Sequence, residues 1–306
     1  MSTARTFADL VKHLAARSGQ VRPDEPFPEL LERLSHLDDP QGRLEIARVL
    51  ESYASTTKRN AGRAPMEAVR SYIALSLLGA ALRRYGDAAP LIHHWVPLCY
   101  LKGFVRDEPQ ETLRTRRVPG TRFDGEHPRL VVSEDRQFAH GVRRNGDGHY
   151  ELPLEKFFSI IEGSFSAALG AESAGKPRET NRVYIVALAV IQALRLGSDV
   201  TTLAGAARAL VPLLDSFGEA HITLEQSLLE PLGFLTSTPL RRRTLDGEHW
   251  ATFFPISSDC ALLIASRELG SDERQELIAA SNRAAAAQSR RTGETLHGVL
   301  PSDLVP

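Results

Sequence analysis

Two histidines stand side by side at His93 and His94, followed by Pro97, Cys99, Tyr100, Leu101 and Phe104. Imidazole is the side chain whose ordinary titration lies nearest neutral pH, so the pair can do two kinds of chemistry. A neutral ring nitrogen can ligate a metal ion, or the ring can take a proton as a general base. Adjacent residues cannot share one helix face, so one histidine can address a site while the other braces the loop. The plainer alternative is two imidazoles hydrogen-bonded to backbone at a turn. Tyr100 could act as an acid or position a substrate, although beside Leu101 and Phe104 it reads more simply as core.

Carboxylates and a guanidinium follow. Glu155 and Glu162 lie seven apart, close in angle on a helix whose apolar face is Leu154, Phe157, Phe158, Ile161 and Phe165. A carboxylate drawn inward there must be paired or metal-bound. Gln192 and Arg195 sit three apart on an otherwise apolar helix, where a buried guanidinium either neutralises a glutamate or clamps an anion. Two pairings of Glu162 stay open. It can meet His94 through a water or a divalent metal ion, with both side chains as ligands, or it can form a structural ion pair with Arg195.

Helices and short strands must position these groups. Phe7, Leu10, Val11 and Leu14 share one helix face, and Leu30, Leu31, Leu34 and Leu37 mark a second helix. Asp39 reads as the cap of a third, with Pro40 at its first position, and Pro65 opens a fourth through Val69, Tyr72, Ile73, Leu77 and Leu82. After the histidines, residues 111–118 and 129–133 read as strands. Helices return from Pro153, over 179–196 and 203–214, with a shorter one near 224–229. Strands are expected at 233–237, 241–245, 251–256 and 260–264, with Asp246-Gly247 as a hairpin turn, before a last helix over 268–290. The two groups of strands are expected to meet in one antiparallel sheet, bringing 111–133 beside 233–265.

The bulk numbers exclude several classes. Net charge is −1, from 37 basic and 38 acidic side chains, which argues against a dedicated nucleic-acid binder. The runs Arg114 to Arg117 and Arg241 to Arg243 read as solvated edge-strand charge rather than a phosphate-binding patch. Two cysteines far apart fit a reducing, cytoplasmic setting. No apolar run is long enough for a membrane span. Phosphate loops, dinucleotide fingerprints, zinc cysteine clusters and serine elbows are all missing from the sequence.

The pattern His93-His94-x-x-Pro97-x-x-Tyr100-Leu101-x-x-Phe104 resembles the opening signature of a bacterial family, domain of unknown function 4238. Leu154-Glu155 with Ile161-Glu162 is similar to its glutamate-bearing helix, and Asn181-Arg182 with Gln192 and Arg195 to its central helix. Leu235-Thr236-Ser237-Thr238-Pro239 resembles its strand end, and Phe253-Phe254-Pro255-Ile256-Ser257 a later strand. The likeness runs over residues 90–290 and keeps the motif order. The family's aspartate at the strand end is missing, since Thr238 follows Ser237 directly; if it were a ligand or base, the activity would be lost or altered here. The signature asks for no cysteine at Cys99, which weakens a Cys–His nucleophile. His93-His94-x-x-Pro97 also faintly resembles a segment of His-Asn-His nucleases, whose downstream Asn and His have no clear counterpart.

The expected fold is α+β and predominantly helical. A helical N-terminal region spans 1–86, a family-like domain with a helical core and a small antiparallel sheet spans 87–292, and 293–306 is a flexible tail. One functional reading is a hydrolase or group-transfer enzyme, phosphoesterase- or nuclease-like. Its cleft would use His93, His94, Tyr100 and Glu162 for catalysis, and Gln192, Arg195, Ser237 and Thr238 to hold a small-molecule or phosphate-bearing substrate. A biosynthetic enzyme working in that cleft without metal is a variant, and nucleic acid is the less favoured substrate. The other reading is a non-catalytic binding protein whose polar cluster is structural, with residues 1–86 available for oligomer contacts.

Overall fold

The computed structural model describes residues 3–60, 65–82, 92–94, 105–107, 112–113, 133–135, 143–144, 150–151, 153–173, 179–197, 200–226, 234–235, 241–256, 260–292 and 297–298. It is an α+β fold, mostly helical, with a small antiparallel sheet. The chain divides into two compact units, one of Met1–Leu91 with Arg136–Gly218, the other of Ile92–Asp135 with Glu219–Pro306. The front helices fall in the first unit, together with the helices of Arg136–Gly218.

In the first unit, α1 (Thr3–Ser18) buries Phe7, Leu10, Val11 and Leu14, the face expected from their spacing. Phe7 stacks on Phe27 of α2 (Phe27–Ser35), ring centroids 4.4 Å apart. Asp39 caps α3 (Pro40–Asn60), its Oδ1 accepting the amide of Gln41 at 3.0 Å, while Pro40 takes the first position, where a missing N–H does no harm. Pro65 opens α4 (Pro65–Leu82) in the same way. Two further helices, α5 (Pro153–Ser173) and α6 (Glu179–Gly197), bring Glu162, Gln192 and Arg195 into this unit. Between Val183 and Leu194, α6 is buried on nearly every side. Helix α7 (Leu203–Gly218) closes the layer. Its C-terminal end is tied to α4 by Arg70, whose Nη2 donates to the Leu214 carbonyl at 3.3 Å and to Asp215 at 3.4 Å.

In the second unit, a four-stranded antiparallel sheet has the order β7-β11-β10-β9. The strands are β7 (His221–Gln226), β9 (Arg241–Thr244), β10 (Trp250–Pro255) and β11 (Cys260–Ala265). Asp246 and Gly247 turn β9 into β10 as expected, with Gly247 at φ +87°, a region that favours glycine. Helix α8 (Ser271–Thr292) packs Leu277 and Ile278 against Ala251, Phe253 and Leu263.

One expectation fails here. The stretch near 224–229 begins as strand β7 rather than a helix: β-branched Ile222 and Thr223 fit the open edge of β11, with Leu224 opposite Leu262. Among the described residues, the earlier strands form their own ladders: β3 (Thr112–Leu113) pairs with β2 (Val105–Asp107), and β4 (Ser133–Asp135) pairs with β1 (Ile92–His94). In the tail, His297–Gly298 pairs with Phe234–Leu235. Among the described residues no helix is long and apolar enough to cross a membrane.

Replacing Asp39 by Ala removes the side-chain acceptor at the start of α3. Urea unfolding of Asp39→Ala is expected to show a loss of about 1 kcal/mol at unchanged m-value; no change would mean the cap is replaced by water.

Candidate functional site

Two of the expected site residues come together, and a third is buried on the same helix as one of them. Glu162 projects from α5 and Arg195 from the last turn of α6, and Arg195 Nη2 lies 2.6 Å from Glu162 Oε1. The Arg195 side chain is 2% exposed and that of Glu162 20%. The guanidinium carbon also sits 4.0 Å above the ring of Phe158, one helical turn before Glu162, so the cation has a carboxylate beside it and an aromatic face beneath. Burial pushes the Glu162 carboxyl above its ordinary range, Arg195 draws it back, and the charge of Glu155 adds to the rise. Gln192 is 2% exposed, and its Nε2 has no hydrogen-bond partner among the described residues. Of the two pairings open from sequence, the structure contains the one with Arg195.

His93 and His94 lie on β1, where His93 stands opposite Glu134 and His94 opposite Ser133 in the antiparallel register with β4. That makes Glu134 a carboxylate neighbour in register that spacing arguments overlooked; residues forty apart carry no local signal of pairing. Tyr100, Ser237 and Thr238 lie outside the described residues. Among the described residues no group of three or more His, Cys, Asp or Glu is gathered closely enough to hold a metal ion.

A feature no motif announced lies in the helical unit: a cavity of about 760 Å³ bounded by α3, α4, α5 and α6. Its volume falls among pockets that hold drug-sized ligands, roughly 300–1,000 Å³. Short side chains make the room, namely Ala47 and Ala54 on α3 with Ala68 and Gly79 on α4. Leu50, Leu75, Ile160 and Val183 give apolar walls, and Leu44, 46% exposed, forms part of the rim. The polar groups within are hydroxyls. Tyr72 donates to the Ile160 carbonyl at 3.3 Å and packs edge-on to Tyr184, centroids 5.0 Å apart, while Ser76 donates to the Tyr72 carbonyl at 2.9 Å. Arg43 bounds one end and donates to the carbonyls of Leu37 at 2.6 Å and Leu82 at 2.9 Å. The alternation of small and large apolar residues on α3 and α4 was visible in the sequence, but nothing there said that the small ones face each other.

Burial raises the Tyr72 hydroxyl to about 12, with the hydrogen bonds of Ser164 and Ser76 opposing it. The folded chain thus holds this proton more tightly than the unfolded chain, whose tyrosines titrate near 10. Its contribution to stability is complete below pH 10 and is lost as pH rises toward 12. Tyr72→Phe is expected to flatten the alkaline stability curve above pH 10, read by chemical denaturation; an unchanged curve would contradict the burial. For the ion pair, Glu162→Leu or Arg195→Met alone strands a buried charge and is expected to lose about 3–5 kcal/mol. The double variant recovers most of that loss in a double-mutant cycle, and additive losses would mean the two side chains act independently.

Comparison of the chain with protein-family models, with curated proteins and with solved structures returned no match.

Proposed function

We propose that this protein binds a small apolar molecule in the cavity of its helical unit, and that Glu162 and Arg195 join α5 to α6 as a structural pair. The observation that carries this reading is the cavity, whose middle is lined by aliphatic and aromatic side chains with the hydroxyls of Tyr72 and Ser76 bonded to backbone carbonyls, and whose charged lining residues among those described are Arg43 and Glu51. The polar cluster supports it from the other side. A general base or metal ligand needs a carboxylate open to substrate, whereas Glu162 is engaged by Arg195 at 2.6 Å.

A hydrolase of the kind resembled by the His93-His94 pattern is the second reading, favoured by the register that sets His93 against Glu134.

Titration with 1-aminoanthracene, a neutral fluorescent probe of apolar sites, is expected to saturate at one site. Ala47→Trp, which fills the cavity, is expected to weaken binding by at least about tenfold. Metal analysis and turnover of a chromogenic phosphodiester by the wild type, His94→Ala and Glu162→Ala form the counter-test. Turnover by the wild type that both variants lose, with no saturable probe binding, would replace this reading with the hydrolytic one.

A further inference from the structure

The cavity is long as well as apolar. On α3 its wall runs from Pro40 to Ala54, a difference of 14 residues, and on α4 from Ala68 to Leu82, again 14. At 1.5 Å per residue each wall is about 21 Å long. The two walls are antiparallel and in step, because the Arg43 guanidinium near the start of one reaches the Leu82 carbonyl at the end of the other. Ile160 and Ser164 of α5, with Val183 and Tyr184 of α6, form a floor beneath the middle. The result is a slot four helical turns long.

Charge is distributed to match. Among the described residues, the charged side chains at the slot are Arg43 toward one end and Glu51 toward the other, while the stretch between carries aliphatic carbon, two tyrosine rings and the hydroxyls of Ser76 and Ser164. A charge placed in the middle would lose its hydration and meet no counter-ion there. A compact ring would fill the middle and leave both ends empty. An extended chain satisfies length and charge together.

Resting on the reading of this cavity as a ligand site, we infer that its occupant is a single unbranched hydrocarbon chain, laid along α3 and α4 with its polar head outside the slot. A zigzag of carbon bonds about 1.5 Å long advances about 1.25 Å per carbon, so a 21 Å slot accepts about 16 carbons. A free fatty alcohol, a fatty acid, or the acyl chain of a larger lipid all present this feature.

The test uses the full chain with cis-parinaric acid, a fluorescent 18-carbon acid, displaced by 1-alkanols of 8 to 18 carbons and, separately, by 1-adamantanol as a compact ring. Affinity is expected to rise roughly four-fold per added methylene, the burial of one CH₂, and to level off at about 16 carbons. Gly79→Leu narrows the slot near its Arg43 end without harming the helix and is expected to move the levelling point to shorter chains. Should that variant not fold, Ala47→Leu narrows it from α3. Hexadecanoate and lysophosphatidylcholine of the same chain length separate the sources: comparable displacement by both places the head in solvent, whereas exclusion of the lysolipid restricts the occupant to the free chain. Adamantanol binding as tightly as hexadecanol, or no dependence on chain length, would overturn the chain while leaving an apolar ligand site. Failure of every probe, 1-aminoanthracene included, would overturn the site itself.

Discussion

A helix that is apolar on all sides has to be surrounded, and α6 is such a helix. Val183, Ile185, Val186, Leu188, Val190, Ile191 and Leu194 are each at most 5% exposed, pointing in every direction around the axis. Two consequences follow. Neighbouring helices must be recruited from distant parts of the chain, which is why the front helices and α5 to α7 fall into one unit although about seventy residues separate them. Any polar side chain on this helix must also find its partner inside the bundle.

Arg195 meets the second requirement through Glu162 and Phe158. An ion pair of this kind adds little net stability, since removing two charges from water offsets most of their attraction, but each charge then depends on the other. A carboxylate and a guanidinium 33 positions apart can meet only if α5 and α6 pack in one register, so the pair selects that register among alternatives an apolar interface would tolerate. At the cavity, short side chains on α3 and α4 leave room beside them, and Arg43 of α3 fastens the end of α4 through the Leu82 carbonyl.

Local signals were the most legible. Asp39-Pro40, Pro65 and Asp246-Gly247 marked element boundaries because a cap, a missing N–H and a left-handed turn act within a few residues. The face of α1 and the strands at 250–255 and 260–265 followed from period alone. The stretch near 224–229 misled because its leucines mimic a helical spacing, while the edge of β11 that turned it into a strand lies some forty residues downstream. The pairing of 92–94 with 133–135 was equally hidden, because strand partners some forty residues apart leave no local signal.

The amino-acid order by itself determined where several helices begin, which faces are apolar, and that a carboxylate of the Glu155–Glu162 helix would face its apolar side, since each depends on side-chain chemistry at helical or strand period. Whether Glu162 would answer to a histidine or to Arg195 was a tertiary decision, as was the opening of a slot between α3 and α4. Both turn on how whole helices rotate and settle against one another, and that is fixed by the sum of many weak packing contacts across the unit, of which no short stretch of residues carries a record.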